Sequence, residues 1–275
     1  MKITAHSIVK NEQNWIWHSL NSVLSFVDEI IVWDTGSTDN TIKIIKTISS
    51  PKIKFLHSTH IDPDALTTIR QEMLEATKSD WLLILDGDEI WPEASIRQTI
   101  SFINKSANPY EYLIHPYYNL VGDVFHYQDK SAGRYKIDEY SGHITIRFVN
   151  LKLLPKLHFS KPHGQQGLFD DANTLIQDRK PFRGHFLDLP YLHATHLIRS
   201  SHDGGVMKRS FKRKFDLGIP FSRDFIYPKP FYLPHPHIIP SPWKPRSPGY
   251  LLATLIQSPF KLVKRKLFHS STNGY

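Results

Sequence analysis

Short apolar runs alternate with amphipathic stretches over the first 120 residues, the pattern of strands and helices in turn that builds a largely parallel sheet. Strands are predicted at 2–9, 29–33, 52–57 and 81–85. Helices are predicted at 15–26 and 41–48, from Pro63 to 78, and from Pro92 through 103, the two prolines standing where a first helical turn begins. Thr35-Gly36-Ser37-Thr38 reads as a turn and helix cap after Asp34. From 110 to 154 the pattern changes to aromatic-rich strands at 112–118, 121–127 and 143–149. Residues 160–200 are rich in His, Asp and Gly and show few regular periods. Nine prolines between Pro220 and Pro248 exclude one helix or a central strand there and leave a wrapping arm or a linker. Apolar and basic residues then mix over 250–268, in a segment expected to break near Pro259.

Open parallel sheets bind ligands at the carboxyl ends of their strands, and that is where the polar residues of interest fall. Asp86-Gly87-Asp88 follows the apolar run 81–85. Two carboxylates at i and i+2 of an extended segment share a side, Gly87 lets a ligand approach the backbone, and hard cations such as Mg²⁺ or Mn²⁺ take oxygen ligands of this kind. An acidic turn before Pro92 is the plainer alternative. Asp34 ends the second strand, where it can meet a ribose or base, or form an Asx turn with Gly36. Glu12 lies after the first strand, facing a ligand or complementing a helix dipole. Arg70, on the helix before the Asp86 strand, suits a phosphate or simply the surface.

The ordered set is more specific than its members. Val9-Lys10-Asn11-Glu12, then 27–41 (VDEIIVWDTGSTDNT), Arg70 and 80–89 (DWLLILDGDE) resemble glycosyltransferase family 2, in particular its lipopolysaccharide core glucosyltransferase-like branch. The likeness covers residues 1–105 well. It implies a GT-A type, Rossmann-like open mixed α/β sheet flanked by helices, and transfer of a sugar with inversion from a nucleotide sugar, UDP-linked by preference, to a glycan or lipid-linked acceptor. By that resemblance Glu12 and Asp34 contact the nucleoside, Arg70 the base or diphosphate, and Asp86 and Asp88 the metal–diphosphate unit, with Asp88 the direct ligand. His163 stands where the family has a His-Glu pair, but Gly164 follows it. The general base that inversion requires is therefore sought at Asp170 and Asp171, or at Asp138 and Glu139. His193 and His196 are candidate late metal ligands, His196 by similarity to some GT-A enzymes.

Composition narrows this further. The chain has 275 residues, 40% hydrophobic, and no cysteine, which excludes disulfides, thiolate metal sites and a cysteine nucleophile. The net charge is +8, and residues 201–275 hold all of the excess, with 13 Lys and Arg against 3 Asp and Glu. Such a tail suits a polyanion, an anionic membrane surface or phosphorylated substrates, or is simply solvated; Lys261, Lys264, Arg265 and Lys266 lie among apolar neighbours, as in an interfacial segment or equally in a helix packed on the domain. No nucleic-acid motif accompanies it, and no nucleic acid is expected. No leader or spanning segment is expected either, so the protein is read as cytoplasmic with a peripheral contact at the inner face of the membrane. The expected plan is a GT-A domain over 1–218, its nucleotide-sugar half at 1–105 and acceptor half at 106–218, followed by a Pro-rich arm and basic tail over 219–275. A sugar nucleotidyltransferase would need a Gly-rich phosphate loop after the first strand, and 9–13 contain no glycine. A non-catalytic nucleotide-sugar-binding relative is the remaining alternative.

Overall fold

The computed structural model describes residues 1–59, 65–105, 109–162, 165–201, 215–267 and 272–273. The chain opens with β1 (Ile3–Val9), α1 (Ile16–Val23), β2 (Glu29–Asp34), α2 (Thr41–Ile45), β3 (Ile53–His57), α3 (Ala65–Glu75) and β4 (Trp81–Ile84). Then come β5 (Glu89–Ile90), α4 (Glu93–Ile103), β6 (Tyr112–Asn119), β7 (His126–Tyr127), β8 (Tyr135–Ile137), β9 (Tyr140–Gly142) and β10 (Ile144–Asn150). The remaining elements include β11 (His158–Ser160), β12 (Gly167–Phe169), β13 (Gly184–Phe186), β14 (Tyr191–His193), β15 (Ile219–Pro220) and α5 (Pro248–Leu267).

The main sheet runs β3-β2-β1-β4-β10-β6-β14-β5, with β13 also paired to β6. β3, β2, β1 and β4 are parallel, and β10 runs antiparallel between β4 and β6. This is the open mixed α/β sheet flanked by helices that the sequence predicted. Its two faces explain the apolar runs. Ile3, Ala5, Val9, Ile30, Val32, Trp81 and Leu83 pack with Ile16, Leu20, Ile44 and Ile96, so α1, α2 and α4 cover one face. Ile31 packs with Ile69 and Met73 of α3 on the other, and β4 is buried throughout because both faces are covered.

The chain leaves β1 for β2 and β3 on one side and returns to β4 on the other. The carboxyl ends of β1 and β4 therefore form a topological switch point, where such sheets open a crevice. β14, far along the chain, closes its far side by pairing His193 with Glu89 of β5.

Two expectations are corrected, and a stretch left without periods is filled. Only His126–Tyr127 of the 121–127 run is strand, because Gly122 takes φ +78° and the Asp123 carboxylate accepts from Phe125 N and His126 Nδ1, closing a turn. The 160–200 stretch, which lacked periodicity, holds three strands of three residues each, too short to show one. Helix α5 continues through Pro259. The proline removes an N–H that would bond the Leu255 carbonyl, and Leu255 is exposed, so that carbonyl can turn to water. The Pro-rich segment is a wrapping arm: Phe231 packs against Trp15 and Trp243, and the Trp243 indole donates to Phe231 O.

Candidate functional site

The loops after β1 and β2 are stapled together. Asn11 adopts φ +56°, a left-handed conformation that asparagine tolerates, and its Oδ1 accepts from Thr38 N at 2.8 Å. In return Ser37 Oγ accepts from Asn11 N and Thr41 Oγ1 from Glu12 N, both at 2.8 Å. Gly36, at φ +90°, is needed because a Cβ would lie 2.8 Å from Thr59 O. Asp34 was expected at the nucleoside. Its Oδ1 accepts from Gly36 N and Ser37 N and faces His57 Nδ1 at 3.1 Å, its Oδ2 is buried, and Thr35 beside it lines the crevice wall.

The crevice has room for about 480 Å³, within the range of small-molecule sites. Glu12, Arg70, Asp86 and Asp88 all line it, together with Lys10, Arg147, His193 and Arg199. Gly87 does more than admit a ligand: a Cβ there would stand 3.0 Å from both Glu12 Cγ and Val9 Cγ1, so glycine lets the β1 and β4 ends meet.

Beneath the acidic turn lies a buried network. Arg147 Nη2 donates to Asp86 Oδ2 at 3.2 Å and to Glu89, while its Nε donates to Tyr191 Oη at 3.0 Å. Burial pushes the Glu89 carboxyl well up from its ordinary range, against the pull of Arg147. Burial opposes the Arg147 charge too, but Glu89, Tyr191 and Asp86 hold it protonated. Arg199 Nη1 bridges Glu12 Oε1 at 3.0 Å and Asp88 Oδ2 at 3.2 Å. His193 Nε2 lies 3.5 Å from Asp88 Oδ1. Burial lowers the His193 pKa, and the surrounding Asp88, Glu89 and Asp86 outweigh it, leaving it raised.

Asp86, Glu89 and His193 each offer a ligand atom, all within 4.8 Å of one another. The carboxylate oxygens of this group are of the kind that Mg²⁺ or Mn²⁺ takes, and Asp88, which faces His193, lies directly beside it. His196, the other candidate, is buried and does not line the crevice.

The expected bases lie elsewhere. Asp170 Oδ1 accepts from Ala172 N and Thr174 N, and its Oδ2 pairs with Arg179 at 3.0 Å. Asp171 faces Lys156 at 3.6 Å and Asp138 faces Lys180 at 3.2 Å, while Glu139 is exposed; none of the four lines the crevice. His163 and Gly164 fall outside the described residues. Among the described residues, Glu12, Asp86 and Asp88 are the carboxylates of the crevice wall. Sequence reading missed the roles of Glu89, Arg147 and Arg199. Arg147 carried a signal, being a charge in the midst of a strand whose seven residues are all buried.

The pattern that defines glycosyl transferase family 2 matches residues 5–171, more than half of the chain. An uncharacterized glycosyltransferase of Rickettsia typhi is 33% identical over 113 residues, which make up 41% of this chain and 36% of the relative. The SPbeta prophage-derived glycosyltransferase SunS of Bacillus subtilis is 30% identical over 166 residues, 55% of this chain and 38% of that one. The chain thus matches little more than a third of the length of these relatives. Among solved structures, the mannosyltransferase PcManGT from Pyrobaculum calidifontis, in complex with GDP-Man and Mn²⁺, gives a TM-score of 0.49 at 16% identity, over 74% of this chain and 59% of that one.

Proposed function

Because the chain belongs to glycosyl transferase family 2, we propose that its crevice binds a nucleotide diphosphate sugar and transfers the sugar, with inversion, to a hydroxyl of a glycan or lipid-linked glycan. The observation that carries this reading is the meeting of Glu12, Asp86 and Asp88 with Lys10, Arg70, Arg147 and Arg199 at the switch point between β1 and β4. A diphosphate brings negative charge that Lys10 and Arg70 can meet, and a divalent ion held by Asp86, Asp88 and His193 would neutralise the charge that develops on the leaving nucleoside diphosphate. Arg147 fixes Asp86 from below. The stapled loops of Asn11 and Ser37 form the floor for the nucleoside, with Glu12 beside it, and UDP is the nucleotide we favour. In this reading residues 1–105 bind the donor, 106–218 present the acceptor, and 219–275 form an extension. The family's lipopolysaccharide core branch supplies the acceptor class.

Isothermal calorimetry with UDP and GDP, with and without Mn²⁺, tests this. Binding of one nucleotide that needs the metal and vanishes in Asp88→Ala supports it. Failure of both nucleotides to bind in the presence of Mn²⁺ would remove the donor site from the crevice.

A further inference from the structure

Helix α5 wears its apolar face outward. Tyr250 and Thr254 face the body of the protein: the Tyr250 hydroxyl donates to Asp216 O and accepts from Asp216 N, both at 3.1 Å, and Thr254 is fully buried. At about 100° per residue, Leu252 and Ile256 fall on the opposite side. Leu252, Leu255 and Ile256 are 63%, 59% and 61% exposed. A helix packed on a soluble domain does the reverse, burying its leucines and presenting its hydroxyls. A contiguous exposed apolar stripe of this kind marks a surface that meets something.

Charge identifies the occupant. Downstream, the sequence repeats the same apolar spacing with Phe260, Val263 and Leu267 and interleaves Lys261, Lys264, Arg265 and Lys266. Residues 201–275 carry 13 Lys and Arg against 3 Asp and Glu, whereas residues 1–200 are nearly balanced, at 21 against 23. A second copy of the chain, close to neutral over 1–200 and basic over 201–275, offers this helix no large net negative charge. An apolar stripe beside clustered lysines is what an anionic lipid surface selects. We propose that α5 lies in the headgroup layer of an anionic membrane, with Leu252, Leu255 and Ile256 entering the acyl boundary and the basic residues beside lipid phosphates. The proposal is independent of the donor reading, because no residue of the crevice takes part.

Co-sedimentation of the full chain with vesicles tests it. The protein should pellet with phosphatidylcholine vesicles that contain phosphatidylglycerol and stay in solution with phosphatidylcholine alone. Leu252→Ser with Ile256→Ser should weaken the partition on the order of a hundredfold, and replacing the four basic residues by Gln should weaken it about fivefold for each residue. An unchanged thermal midpoint establishes that these variants are folded. Equal binding to both vesicle types, binding to neither, or concentration-dependent dimerisation that Leu252→Ser abolishes would each overturn the proposal.

Discussion

Two acidic pairs follow short strands of this chain: Asp86 and Asp88 after β4, and Asp170 and Asp171 after β12. They share a residue type and a position, and their surroundings differ. The Asp170 carboxylate is consumed by its own turn and by Arg179, and Asp171 faces only a distant, exposed lysine. The β4 pair is met by side chains from β10, β14 and the loop after β14, namely Arg147, His193 and Arg199, across an open crevice. The difference teaches that an acidic pair becomes a candidate site when its oxygens face groups brought by topology, and remains a structural turn when local backbone takes them.

The comparison breaks most visibly at Asp88. Asp88→Asn should abolish metal-dependent nucleotide binding and lower transfer by about 10²-fold or more, while Asp171→Asn leaves both unchanged; calorimetry and a donor-turnover assay read the pair side by side. Next in size is Arg147→Met, which leaves Glu89 buried and unpaired. It should cost about 3–5 kcal/mol and lower the thermal midpoint by roughly 10 °C, and the double variant with Glu89→Gln should recover most of that loss in a melting experiment.

Acid supplies the third test. Burial holds His6 down to about 3, and His18 and His115 down to about 4, with Arg70, His235 and Arg147 adding smaller lowering effects in turn. The unfolded chain therefore binds protons that the folded chain refuses. Their contribution is complete above the unfolded value near 6.5 and is lost as the pH falls from there to about 4. Between pH 6 and 5 each histidine should cost about 1 kcal/mol, read from denaturant midpoints, so the two acidic pairs are best compared above pH 6.5. The smallest effect belongs to Asp170→Asn, which should cost about 1 kcal/mol through its turn and Arg179 and leave nucleotide binding intact.

The first 105 residues were legible because their determinants are local. The apolar run 81–85 ending in Asp86-Gly87-Asp88, the Asn11-Glu12 pair and the Gly36 turn each state their geometry within a few residues. Arg70, on the helix before β4, also reached the crevice. What was not legible came through pairing over long separations: His193 enters because β14 pairs with β5 and β6, which no spacing around Leu192-His193 announces, and His196 looked equally suitable. Glu89 stood in plain view beside Asp88, yet only the register of Arg147 on β10 turns it inward. Asp34 read as a ligand because a strand-end carboxylate can face either way, and two backbone N–H groups take its Oδ1.

The stapling of Asn11 to Thr38 and of Ser37 to Asn11 has a kinetic side. Two loops cross-tied by reciprocal hydrogen bonds hold a shape of their own, with little left to order. On the proposed reading, a nucleoside would meet this floor ready-made, at a rate set by its diffusion and charge rather than by loop closure.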